Sequence, residues 1–199
     1  MMAKTQTQTE AAPILEIRGL TQQFGGLRAV SDFNVKLRTG EMTGLIGPNG
    51  AGKTTVFNLT SGFYQPTEGE ILVSGKNTAG KKPHQVTSMG VARTFQNIRL
   101  WNDMSVLDNI RLAQHYQLDY GFFHAIARSK HYKKRERAVE ERARELLEVF
   151  GLHDFADELP KNLPYGTQRK LEIARALSSQ PKLLLLDEPA AGLNSADAK

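Results

Sequence analysis

Between Gly47 and Thr55 the chain reads GPNGAGKTT: Gly47, four residues, then Gly52, Lys53 and Thr54. That spacing suits a loop wrapped around phosphate. Gly47, Gly50 and Gly52 let successive backbone N–H groups turn inward, with Pro48, Asn49 and Ala51 completing the loop, and the positive end of a following helix favours an anion. Lys53 would reach the β- and γ-phosphates of a nucleotide, the Thr54 hydroxyl would sit on Mg2+, and Thr55 closes the stretch. A plain glycine-rich turn would need no Lys-Thr pair at its end.

A second group lies at Asp187 and Glu188, directly after the apolar run Leu183–Leu186 and before Pro189. Such a run reads as a strand buried on both faces, and ligands of open α/β sheets bind beyond the carboxyl ends of their strands. Beside a phosphate loop, Asp187 would hold Mg2+ directly or through water, and Glu188 would orient or deprotonate an attacking water. Alone, these three residues would be read as a capped turn. A third stretch, LPYGTQRKLEIARAL from Leu163 to Leu177, sets a glycine before a basic helix, which is either a phosphate seat or a turn leading into a surface helix.

The elements that must position these groups follow from periodicity. ILEIRGL and SDFNVKLRTG alternate apolar and polar residues and read as half-buried strands, and GEILVSG as another. MTGLIG reads as a short buried strand feeding the phosphate loop, and KTTVFNLTSG as the helix after it, closed by Gly62. From Trp101 onward, SVLDNIRLAQHY and RAVEERARELLEVF place apolar residues three and four apart, as helices do. PKLLLLDEP returns to a strand. The expected fold is an α/β core with a helical insertion.

The 199 residues, 40% hydrophobic, suffice for one core, and with no cysteine the chain has neither disulfides nor thiolate metal sites. The polar start MMAKTQTQTEAAP lacks the apolar region of a secretion signal, and no apolar run approaches the roughly 18 residues needed to cross a bilayer. Any membrane role must therefore pass through a partner. A net charge of +5 is ordinary for a soluble protein and gives only weak support to a nucleic-acid partner.

With the phosphate loop and the acidic pair in place, the chain resembles the ATP-binding subunits of ABC transporters from about Ile14 to Lys199. The resemblance implies a P-loop NTPase (RecA-like) core, residues 13–96 and 181–199, with an antiparallel β subdomain and an inserted α-helical subdomain over 97–180; residues 1–12 are expected to be a disordered tail. It implies ATP and Mg2+ as cofactors. Phe24 lies where the family stacks an aromatic on adenine, and Gln96 in RTFQNIRLW matches the glutamine that reaches Mg2+ or the attacking water from a loop that moves against the membrane domain. The stretch from Leu163 falls at the family's signature, usually Leu-Ser-Gly-Gly-Gln, of which Leu163 and Gly166 remain. Pro164 cannot supply the serine hydroxyl, a bond of a type worth about 1.5–3 kcal/mol. Proline suits the first turn of a helix, so the backbone N–H groups and the helix dipole can still face an anion, with Gly166 acting on ATP held by a second subunit.

FGGLRAV, RTFQNIRLW, the Tyr165-Gly166 variant and DEPAAGLN together look like the ATPase subunits of branched-chain amino-acid importers. The resemblance implies two ATPase subunits (a homo- or heterodimer) meeting head to tail, two integral-membrane permease subunits, a periplasmic amino-acid-binding protein, no nucleic acid, and a place on the cytoplasmic face of the inner membrane. Asn194 occupies the family's D-loop position, where many relatives carry Asp. None of His84, His115, His124, His131 and His153 follows Glu188, so none matches the family's switch histidine. The expectation is an incomplete chain that binds ATP weakly, hydrolyses it poorly and tends to aggregate. Three alternatives stay open: an ABC ATPase for another cargo such as urea, amides or lipopolysaccharide, a non-transport ABC ATPase acting on nucleic acid, and a catalytically dead binding module.

Overall fold

A computed structural model describes residues 12–114 and 130–189. The N-terminal tail before residue 12, His115, His124 and Asn194 lie outside the described residues. The chain forms two compact units that divide between Val91 and Ala92.

The first unit is built on an antiparallel sheet in the order β2-β1-β3-β4, from β1 (Leu15–Phe24), β2 (Leu27–Leu37), β3 (Glu68–Val73) and β4 (Lys76–Asn77). Leu15, Ile17, Leu20, Ile71 and Val73 are buried on it. Strict alternation would send Leu20 to the face opposite Leu15 and Ile17. A register shift between Arg18 and Thr21 restores it to the core, since one extra residue in a strand exchanges the two faces. Gly69 lies opposite this bulge with φ of 85°, and a Cβ there would meet the carbonyl oxygen of Gly19 at 2.4 Å, so only glycine fits. Helix α1 (Lys53–Thr60) buries Val56 and Leu59. Its end is closed at Gly62, φ 79°, whose N–H donates to the Leu59 carbonyl, as expected from the sequence. A short helix, α2 (Pro83–Ser88), buries Val86.

MTGLIG, expected as a buried strand, is irregular, and Met42 and Ile46 are 99% and 94% exposed. The apolar run is real, but a strand exists only where a neighbour completes its hydrogen-bond ladder. Among the described residues no strand pairs with it.

The second unit has a helical core and a small two-stranded sheet. Helices α3 (Val106–Gln114), α4 (Lys130–Val149) and α5 (Tyr165–Ser178) bury Val106, Ile110, Ala143, Leu147, Leu171 and Ala174 against one another, joined by Leu152 and Leu163. Two single-turn helices, His153–Phe155 and Pro160–Asn162, link α4 to α5. Polar ties reinforce the packing: Ser178 donates to the Ile110 carbonyl at 3.1 Å, and Gln114 Nε2 to that of Val139 at 3.2 Å. Among the described residues no helix is long and apolar enough to cross a membrane.

Strands β5 (Val91–Arg93) and β6 (Leu183–Leu185) pair. The expectation that Leu183–Leu186 is buried on both faces is corrected. Leu183 is buried, whereas Leu184, Leu185 and Leu186 are half-buried, because β5 is the one strand beside β6 among the described residues. The N–H of Thr94 continues the pairing to the Leu185 carbonyl at 3.0 Å, and its hydroxyl accepts from the Asp187 N–H at 3.3 Å, so the segments following both strands are held together.

Candidate functional site

In the first unit, residues 47–52 form the turn ahead of α1, with Gly50 at φ 83° and Gly52, the N-cap of α1, at φ 81°. A Cβ on Gly52 would lie 2.3 Å from the Ala29 carbonyl oxygen. The start of α1 thus packs tightly on β2, and only glycine allows both that approach and the left-handed backbone. No side chain caps α1, so its first-turn N–H groups remain available to an anion at the positive end of the helix. Lys53 folds back over the loop and donates from Nζ to the carbonyls of Gly47 at 2.6 Å and Pro48 at 2.8 Å. An ammonium has three N–H bonds, and the third is left for a phosphate oxygen. Thr54 is exposed and Thr55 half-buried. These groups fit a polyphosphate.

Phe24 ends β1, is 42% exposed, and meets the ring of Tyr64 edge to face, centroids 5.4 Å apart. Tyr64 was not singled out in the sequence because it lies 40 residues from Phe24, in a turn without periodicity.

In the second unit, Asp187 and Glu188 follow β6. Asp187 is 6% exposed, and its Oδ2 accepts from Arg93 at 3.1 Å, another buried side chain. Desolvation pulls the Arg93 pKa below its ordinary value, and the bond and charge of Asp187 work against that shift. One carboxylate oxygen is therefore engaged, and Oδ1 is the atom left for a metal or a metal-bound water. A single carboxylate oxygen suits a magnesium ion that keeps most of its waters, whereas a cage of several acidic ligands is not present among the described residues.

Glu188 is exposed and adopts φ 46°, a left-handed conformation uncommon outside glycine. Its Oε2 accepts from Nε2 of Gln96 at 3.2 Å, so the structure brings these two sequence-predicted residues together across 92 positions. The chain beyond Gln96 is anchored at Trp101, whose N–H and carbonyl are both bonded to the buried side chain of Asn109 at 3.0 Å. Gly166 is half-buried in the first turn of α5. Pro164 is the N-cap, one place before the first-turn position expected, and makes no side-chain cap, so the first N–H groups of this helix are also unclaimed by side chains.

Two residues that sequence reasoning passed over are central to this unit. Arg169 and Glu172 are both 1% exposed and form an ion pair at 2.6 Å. Opposite charges three apart on a helix ordinarily read as a solvated pair. The one signal against that reading was their nearness to Leu171 and Ala174 on a helix whose buried arc is wide.

The ABC transporter family profile matches residues 30–191. Over 187 residues the chain is 46% identical to the high-affinity branched-chain amino acid transport ATP-binding protein LivG of Escherichia coli, covering 94% of this chain and 73% of that protein. It is 47% identical over 182 residues to the corresponding protein BraF of Pseudomonas aeruginosa, covering 92% and 71%. Among solved structures, the ADP conformation of MJ1267, an ATP-binding cassette of an ABC transporter, superposes with a TM-score of 0.76 at 31% identity, covering 94% of this chain and 72% of that one.

Proposed function

This chain belongs to the ABC transporter family, with the P-loop NTPase fold of its ATP-hydrolysing cassettes, and on that premise we propose that it is the ATPase subunit of an importer of branched-chain amino acids. The observation that carries the cargo is the 46% identity to LivG along 94% of the chain.

In this reading the first unit seats the triphosphate of ATP. The uncapped N–H groups of α1 and the loop Gly47, Pro48, Asn49, Gly50, Ala51 and Gly52 surround the phosphates, Lys53 neutralises the β- and γ-oxygens, and Thr55 closes the cradle. Phe24 supplies an aromatic face for the adenine, with Tyr64 holding its edge. Thr54, Asp187 and Gln96 are the residues that would hold Mg2+, which when bound neutralises charge on the β- and γ-phosphates. Glu188 is the general base. Its carboxylate takes a proton from the attacking water, while Gln96, hydrogen-bonded to it, orients that water.

Gly166 and the start of α5 serve ATP held by a second ATPase subunit, through backbone N–H groups in place of the missing serine. The partners are that second subunit, two permeases and an amino-acid-binding protein, with the chain peripheral on the cytoplasmic face of the membrane. Closure around ATP drives the permeases, and hydrolysis resets them.

The test is the transporter reconstituted in vesicles with its permeases and binding protein. Leucine, isoleucine or valine should stimulate ATP turnover, and Glu188→Gln should keep ATP binding while lowering kcat by about a hundredfold or more, the usual size of a lost general base. Stimulation by urea or short amides instead would refute the cargo, and normal turnover in Glu188→Gln would remove it as the base.

A further inference from the structure

Arg169 and Glu172 lie on α5 with their charged ends sealed from solvent. Replacing a buried ion pair by apolar side chains is often neutral or stabilising, so stability alone does not explain this one. Nor are its bonds complete, since Arg169 Nε is buried without a partner. What the pair does make is directional. One terminal nitrogen of Arg169 donates to Glu172 Oε2 and to the Phe95 carbonyl, both at 2.6 Å. The other donates to two consecutive carbonyls, Asp187 at 2.5 Å and Glu188 at 3.0 Å. Glu172 completes the grip by accepting the Phe95 N–H at 3.3 Å.

Phe95 is thus held at both its N–H and its C=O, immediately before Gln96. Asp187 and Glu188 are held by their carbonyls where Glu188 takes the left-handed φ of 46°. A non-glycine residue keeps that conformation only where its surroundings enforce it. The guanidinium fork spans both segments at once, which a lysine ammonium, a single point of charge, cannot do.

We propose that Arg169 and Glu172 are positioning residues for ATP hydrolysis: they set the backbone on either side of the Gln96–Glu188 hydrogen bond and so fix the base against the residue that orients its water. The proposal rests on the assignment of Glu188 as base given above.

The experiment uses the full chain in its assembled transporter and measures kcat, KM for ATP, ATP binding and Tm for Arg169→Lys, for the apolar double variant Arg169→Met/Glu172→Met, and for Glu188→Gln alongside. Lost positioning should lower kcat about tenfold or more in both pair variants, with KM and ATP affinity within about twofold of the parent. The double variant should also remain folded well above the assay temperature, because it removes both buried charges together, with any fall in Tm coming from the backbone groups of Phe95, Asp187 and Glu188 that lose their partners. That combination, an intact fold with slow chemistry, is one that a purely structural role would not produce. Parental kcat in either pair variant overturns the proposal, as does a fall in kcat matched by an equal loss of ATP affinity. Turnover that survives Glu188→Gln overturns the assignment of the base and the pair's role with it. A dead Glu188→Gln beside a fully active double variant overturns the pair alone.

Discussion

At the scale of single residues, the local structure around the candidate groups was legible wherever its parts are neighbours in sequence. Gly47 to Thr55 needs one loop and one helix start, and both formed as read. Asp187 and Glu188 needed only the end of a strand. Arg169 was not legible, because its meaning depends on Phe95, 74 positions away, and on Asp187 and Glu188, 18 and 19 away. The engagement of Asp187 by Arg93, 94 positions apart, was hidden for the same reason. Gly166 stands between these cases. Its place in the first turn of α5 leaves its N–H free of intrahelical bonding. In the proposed pairing of two ATPase subunits, an aspartate there would set a carboxylate where the phosphates of ATP are to be met. Gly166→Asp should therefore reduce ATP turnover to background while ATP still binds the isolated subunit, as checked by turnover and nucleotide-binding titration. Hydrolysis at the parental rate would return this stretch to an ordinary basic helix.

Among elements, the helices of the second unit were the most readable, since spacings of three and four fix a buried face without reference to distant chain. Ile110 in α3 shows how much rests on that face. It is fully buried between α4 and α5, and its carbonyl accepts from Ser178. Truncation to alanine removes three carbons from a packed interior, so Ile110→Ala should cost about 2–5 kcal/mol, read from the urea midpoint at constant slope. A loss below 1 kcal/mol would mean that this cluster collapses around the gap. The strands were harder, because a strand is defined by its partner. β1 and β2 lie close in sequence and pair as their alternation suggested, though with a bulge that alternation could not foresee. MTGLIG has the composition of a strand and no neighbour among the described residues, and Leu184 to Leu186 are half-buried for want of a second one. Composition reports what a segment would bury, while the rest of the fold decides whether it does.

For the molecule as a whole, the residues assigned to nucleotide chemistry are divided between its two compact units: Phe24 and the loop to Thr55 in the first, Gln96, Gly166, Asp187 and Glu188 in the second. The family, the fold and the ATPase chemistry could be read from motif order along the chain, while the cargo rests on similarity to LivG. The exposed aliphatic segment at Met42–Ile46 also makes the protein chemically vulnerable at a known point. A thioether 99% open to solvent is an early target for peroxide, whereas Met104 is 40% exposed and Met89 partly covered. Under mild peroxide the peptide bearing Met42 should gain one oxygen before those bearing Met104 or Met89, as followed by mass spectrometry, and oxidation in any other order would contradict the exposure described above. Each sulfoxide formed there puts a polar group on the chain five residues before the glycine-rich loop, so the age and handling of a preparation become recorded just upstream of that loop.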